Sequence, residues 1–233
     1  MSFTHKSRET LLDKINIRLE KGEVTAIVGP SGSGKTSILR AVTGLLPPET
    51  GTVELAIELT QVGFLFQDDA LLPWRTSRQN VSLGLRIRGV SIPLAEEKAE
   101  EWLSLVGLSG FGDRYPRQLS VGQRKRVAIA QVLALEPKLL LMDEPFATLD
   151  EISRQRLNEE ILSLWRRNRW TCLFVTHSVH EAVFLSQRVL VMSPRPGRIV
   201  AEIEVPFDYP RGQELRTTPE FSLVAEQISA SLR

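Results

Sequence analysis

The stretch Gly29-Pro30-Ser31-Gly32-Ser33-Gly34-Lys35-Thr36 decides the fold of this chain. It has the form G-x-x-x-x-G-K-[ST]. The five residues before it, Val24-Thr25-Ala26-Ile27-Val28, are a short apolar run that predicts a buried strand. Residues 37–42 predict a helix, with Gly44 placed to end it. A strand before and a helix after give the pattern its meaning. The glycines let backbone N–H groups turn inward around an anion, and the helix N-terminus adds a positive partial charge. Lys35 supplies a point charge to the β- and γ-phosphates of a nucleotide, and the Thr36 hydroxyl supplies a ligand for Mg2+. Gly29 to Thr36, with Ser37 at the head of the helix, are the candidate nucleotide-binding residues. The plainer alternative, a glycine-rich turn, is disfavoured by the flanks.

A second apolar run, Leu139-Leu140-Leu141-Met142, ends in Asp143-Glu144. Continuous apolar residues predict a strand covered on both faces. Asp143 can hold Mg2+ through its water shell, and Glu144, one residue on, can take a proton from an attacking water. Alone, such a strand end is more often a cap. Downstream of a phosphate loop it reads as the second half of a nucleotide site.

Strand-like and helical runs alternate elsewhere. Residues 52–66, 172–175 and 188–192 read as strands. The helix after Glu151 places Leu157, Ile161, Leu164 and Trp165 on one face, and Ser178 with Glu181 predicts a capping box for the next. From about 78 to 134 helical signals dominate. Pro93 suits a first turn, Ala99, Trp102, Leu103 and Val106 form one stripe, and Gly107 ends it. We read this region as a helical subdomain inserted into an α/β domain. The tail 206–233 reads as a C-terminal extension, whose helix carries Phe221, Val224, Ile228 and Leu232 toward its own domain. The 233 residues suit a single domain with this insertion.

Composition narrows the class. Apolar residues are 42% and charged residues 24%, with a net charge of only +1, which argues against a dedicated nucleic-acid partner. The basic run Arg124-Lys125-Arg126 reads as a solvated helix face. One cysteine, Cys172, excludes a disulfide framework within the chain and suits a reducing compartment. No apolar run reaches the roughly 20 residues needed to cross a bilayer, so any membrane role is expected to run through a partner, from the cytoplasmic side.

Further motifs carry a family resemblance. Leu119-Ser120-Val121-Gly122-Gln123 resembles the signature of ABC-type ATPases, Gln67 in Phe64-Leu65-Phe66-Gln67 resembles their Q-loop, His177 after Phe174-Val175-Thr176 resembles their switch histidine, and Ala147-Thr148-Leu149-Asp150 resembles their D-loop. The motifs stand in family order across nearly the whole chain. The resemblance implies a P-loop NTPase core with a mainly parallel sheet, an N-terminal antiparallel β subdomain and the helical insertion. It implies ATP and Mg2+ as ligands, and head-to-tail pairing with a second copy or a paralogous ATPase. Lys35, Thr36, Gln67, Asp143, Glu144 and His177 would act on one nucleotide, with Gln67 also near the metal. Ser120, Gly122 and Gln123 would reach the γ-phosphate held by the partner, and Asp150 would lie beside the site.

Two departures stand out. Val121 replaces the first glycine of the signature; it keeps the backbone N–H but adds a branched side chain, and with Ser120 and Gly122 retained activity is expected. By spacing, His5, with Phe3 nearby, falls where the family stacks an aromatic ring on adenine. Ala70-Leu71-Leu72-Pro73-Trp74, Asp143-Glu144-Pro145-Phe146 and Ser193-Pro194-Arg195-Pro196-Gly197-Arg198-Ile199 resemble the ATPases of nitrate, sulfonate and taurine importers. That branch implies integral membrane permease subunits as partners, a solute-binding protein indirectly, and a groove at Leu71, Leu72 and Trp74 for a permease helix. A P-loop kinase or GTPase lacks this signature and histidine. An exporter subunit, or an ABC ATPase of DNA repair or translation, fits the length and motifs less well.

Overall fold

The computed structural model describes residues 3–4 and 10–233. Its centre is a six-stranded sheet in the order β4 (Val62–Leu65), β5 (Leu139–Asp143), β6 (Thr171–Thr176), β3 (Val24–Val28), β7 (Arg188–Met192) and β8 (Ile199–Glu204). All neighbours are parallel except β7 and β8. β3, β5 and most of β6 and β7 are wholly buried, as parallel strands covered on both faces must be. The N-terminal antiparallel element is, among the described residues, the pair β1 (Phe3–Thr4) and β2 (Thr10–Leu12).

The expectation of strands through 52–66 holds only for β4; residues 52–58 form no strand. Val53, Leu55 and Ile57 alternate and pack against the apolar cluster of Ile38, Leu39 and Leu141. Alternation here reflects burial of one side of an extended segment, without a ladder partner. The helix after the phosphate loop, α1 (Lys35–Val42), begins two residues before the expected start, with Gly44 in the left-handed region just beyond its end.

Helices α2 (Ser77–Ile87), α3 (Ile92–Leu105) and α4 (Val121–Leu133) pack on one another, and Ala95, Ala99, Leu103 and Val106 are buried among them. The solvated reading of Arg124-Lys125-Arg126 is wrong. Lys125 is fully buried, Arg124 pairs with Asp69, and Arg126 pairs with Glu160 while donating to the Val106 carbonyl. Charge on a helix reports solvation only when no carboxylate or carbonyl waits on the facing element.

Helix α5 (Glu151–Asn168) buries Leu157, Ile161, Leu164 and Trp165. α6 (Val179–Leu185) starts at Ser178, whose hydroxyl accepts from the Glu181 N–H at 3.3 Å. The capping box is only half formed. The Glu181 carboxylate instead accepts from the Thr176 hydroxyl at 2.6 Å, and the Ser178 N–H donates to that same hydroxyl oxygen at 3.0 Å. Thr176, at the end of β6, outcompetes the local partner because its hydroxyl is buried and its proton needs an acceptor.

The chain closes on α7 (Pro219–Ser231), which buries Phe221, Val224 and Ile228. Before it, Arg211 is buried and donates to the carbonyls of Val183, Phe184 and Ser186 at 2.8–3.1 Å, capping the C-terminus of α6. A guanidinium there complements the helix dipole and occupies carbonyls that would otherwise be buried without a donor. Arg211→Met is expected to lower the unfolding free energy by about 2–3 kcal/mol, read as a shift of the urea midpoint with unchanged slope.

Candidate functional site

The ends of the central strands are in register. Val28 of β3 faces Thr176 of β6, and Asp143 of β5 faces Val175. The loops that leave these ends therefore converge at one edge of the sheet, where parallel α/β folds bind ligands.

The phosphate loop leaves β3. Gly34 has φ 98° and caps α1 with no side-chain hydrogen bond, so no side chain occupies the helix's first N–H groups. The Lys35 ammonium is buried and donates to the carbonyls of Gly29 at 2.8 Å and Pro30 at 2.9 Å. Burial lowers its pKa, and the carboxylates of Glu144 and Asp143 act the other way. The Ser33 hydroxyl is buried with no hydrogen-bond partner among the described residues, an uncommitted donor inside the loop. The loop is braced from behind. The 193–198 turn pairs with β2 through Asp13 N–H to Gly197 O at 3.0 Å and Gly197 N–H to Leu11 O at 2.9 Å. A methyl group on Gly197 would overlap the Ser33 carbonyl, so only glycine permits this approach.

The Thr36 hydroxyl donates to Asp143 Oδ1 at 2.9 Å. Burial raises the Asp143 pKa; the Thr36 hydrogen bond opposes that shift, and the neighbouring Glu144 adds to it. A hydroxyl and a carboxylate side by side are hard oxygen donors, the set that suits Mg2+. Glu144 sits at φ 43°, a conformation that costs a non-glycine residue about 1–3 kcal/mol. Its N–H donates to the Val175 carbonyl at 3.0 Å, tying it to β6. The turn aims its carboxylate at His177, with Nδ1 and Oε2 3.3 Å apart. His177 is 58% exposed and Glu144 23%, so this pair stands at the mouth of the site.

Gln67 follows β4 and is exposed, with its carbonyl held by Lys125 at 2.8 Å. Ser120 caps α4. Its hydroxyl accepts from the Gln123 N–H at 3.2 Å, while Gln123 Oε1 accepts from the Ser120 N–H at 2.9 Å. This turn, with Gly122 and a 42% exposed Val121, faces solvent. Asp150 caps α5, accepting from the Ser153 N–H at 2.9 Å; the Ser153 side chain first, and then this N–H, hold its carboxyl below the usual range. Lys35, Thr36, Asp143, Glu144 and His177 are thus linked directly or through neighbouring strand ends. Among the described residues, the hydrogen bonds of Ser120, Gln123 and Asp150 close the caps of their own helices and do not join this group. His5 lies outside the described residues. Trp74 is 71% exposed, whereas Leu71 packs on the core. The sequence reading overlooked Asp69 and took Lys125 as solvated. The available signal was the spacing of Lys125 with Ala128 and Ile129, which puts a lysine on the buried stripe of α4.

Comparison with known proteins identifies relatives of the chain and of its fold. Residues 12–147 match the family model described as ABC transporter. The chain is 42% identical over 222 residues to an ATP-binding protein of Brucella abortus, covering 93% of this chain and 85% of the relative. It is 42% identical over 233 residues to the nitrate import ATP-binding protein NrtD of Synechocystis, covering 95% and 88%. It is 40% identical over 242 residues to the taurine import ATP-binding protein TauB of Pelagibacter ubique, covering 98% and 90%. Among solved structures, a dimeric ATP-binding cassette in a post-hydrolysis state with ADP and Pi superposes with a TM-score of 0.77 at 28% identity, over 89% of this chain and 96% of that one. CbiO1 of Clostridium perfringens, part of the ABC transporter complex CbiONQ, gives 0.80 at 25% identity, over 98% and 96%. The chain belongs to the ABC transporter family and is one of its ATPases.

Proposed function

We propose that this chain is the ATP-hydrolysing subunit of an importer for nitrate, a sulfonate, taurine or a related small solute. The observation that supports this most directly is the Glu144–His177 pair, at 3.3 Å, on the sheet edge that also carries Lys35 and the Thr36–Asp143 hydrogen bond. The names of the nitrate and taurine relatives support the solute class.

In this reading the loop from Gly29 to Ser37 wraps the phosphates with its N–H groups, and Lys35 turns its ammonium from loop carbonyls to phosphate oxygens. Thr36 and Asp143, with Gln67 nearby, would hold Mg2+, which when bound neutralises charge on the β- and γ-phosphates. A water oxygen bonds to the γ-phosphorus as its bond to the bridging oxygen breaks. ADP departs with that oxygen, and Glu144 accepts the proton of the attacking water. His177 keeps the Glu144 carboxylate in place and faces the γ-phosphate. The α4 turn of a second copy or a paralogue, through Ser120, Gly122 and Gln123, completes the site. Its capping box makes that turn rigid before the partner arrives, so little ordering cost attends closure.

No described helix is long and apolar enough to cross a membrane. In this reading the importer relatives point to work through permease subunits, at the cytoplasmic face of the inner membrane, with a solute-binding protein engaged only indirectly and no nucleic acid. The exposed Trp74 and the groove between β4, α2 and α4, lined by Phe64, Phe66, Ile87 and Val132, offer apolar surface to a permease helix.

Glu144→Gln is expected to slow ATP hydrolysis about a thousandfold and to leave an ATP-bound dimer that survives size-exclusion chromatography. A monomer that still turns over ATP would refute both the base and the shared site. Trp74→Ala is expected to leave ATP affinity within about twofold while solute uptake falls about tenfold. The measurement is transport by the complex reconstituted in vesicles, and full uptake would remove Trp74 from the docking surface.

A further inference from the structure

Lys125 has no part in the chemistry above, yet it lies between two of its components. It stands on α4, five residues past the cap Ser120, and is fully buried. Its ammonium donates to the carbonyls of Phe66 at 3.2 Å and Gln67 at 2.8 Å, and Asp69 Oδ1 lies 3.7 Å away. Arg124 reinforces the link: Nε donates to Asp69 Oδ2 at 3.2 Å and Nη1 to the Leu119 carbonyl at 2.9 Å. The segment from Phe66 to Asp69 is thus fastened to the first turns of α4 by four polar contacts from two adjacent cations.

Burying an ammonium is costly unless its donors are matched. An apolar residue at this position would fill the same stripe without that cost. What the lysine adds is a fixed position for the Gln67 backbone relative to α4. α4 packs on α2 and α3, whereas its first turn carries Ser120, Gly122 and Gln123 toward the surface. One rigid body therefore contains the residue that senses this chain's own nucleotide and the turn that meets the partner's.

We propose that Lys125 is a positioning residue that locks the Gln67 segment to the signature turn, so that the state of one nucleotide site is transmitted to the other. This rests on the paired-site reading above. A purely structural lysine would stabilise the fold but leave the catalytic parameters per folded molecule unchanged.

The test uses the full chain with Lys125→Met, which keeps the length and removes the donors, and Lys125→Gln, which keeps an amide donor. Steady-state ATPase is measured against ATP concentration, and backbone amide exchange is followed in the nucleotide-free protein. For Lys125→Met, kcat is expected to fall about tenfold while KM for ATP stays within about twofold. Exchange should quicken at residues 66–70 and not in β3 or α1, and Lys125→Gln should recover part of kcat. An unchanged kcat, or exchange raised equally throughout the core, would overturn the proposal. If Lys125→Met does not fold, Lys125→Gln carries the same comparison, with an intermediate kcat expected and wild-type kcat overturning it. Should the wild-type chain hydrolyse no ATP, the ATPase reading fails. Exchange at 66–70 then decides the Lys125 link separately: local quickening keeps it, and none removes it.

Discussion

Everything at the site depends on the flush parallel packing of β5, β6 and β3. Strand pairing sets Val28 level with Thr176 and Asp143 level with Val175. The phosphate loop, the carboxylates and the histidine leave the sheet at one height because of that register. Shifting β5 by one residue would reverse which face each side chain takes and would swing Asp143 away from Thr36. A fully buried side chain such as Leu141 or Phe174 contributes about 2–3 kcal/mol, and the sum of such terms holds the register. The apolar core is therefore what sets the geometry of a polar site.

Local strain and local bracing then refine what the register delivers. Glu144 is held at positive φ by its bond to β6, and that turn, not the strand, directs the carboxylate toward His177. The phosphate loop is supported on its rear by Gly197 and Leu12, from opposite ends of the chain. Both devices are backbone features, and each confines a charged side chain that solvent would otherwise let wander.

Much of this was legible in the sequence, for physical reasons. The phosphate loop announces itself because few residues other than glycine tolerate its backbone. β3, β5 and β6 were legible because buried parallel strands read as unbroken apolar runs, and α3 because its stripe, first-turn proline and terminal glycine agree. Three features were not legible. Residues 52–58 look like strand because one side is buried, and a pattern cannot say whether a ladder partner exists. Lys125 looks solvated because its acceptors, Phe66, Gln67 and Asp69, are 56–59 residues away. Glu181 looks like half of a local cap because Thr176 wins its carboxylate only once β6 is packed. In each case the deciding partner is distant or buried, and the local pattern carries no trace of it.

The placement of β3 has a consequence for how the protein comes into being. This strand, which launches the phosphate loop, lies between β6 and β7, whose residues follow it by roughly 150 positions. During synthesis from the N-terminus, Val24–Val28 leaves the ribosome long before either neighbour exists. Until Met192 has emerged, the strand has one or both edges unpaired and cannot hold the loop in shape. The phosphate loop thus gains support on both edges of its strand only after β7 has been made.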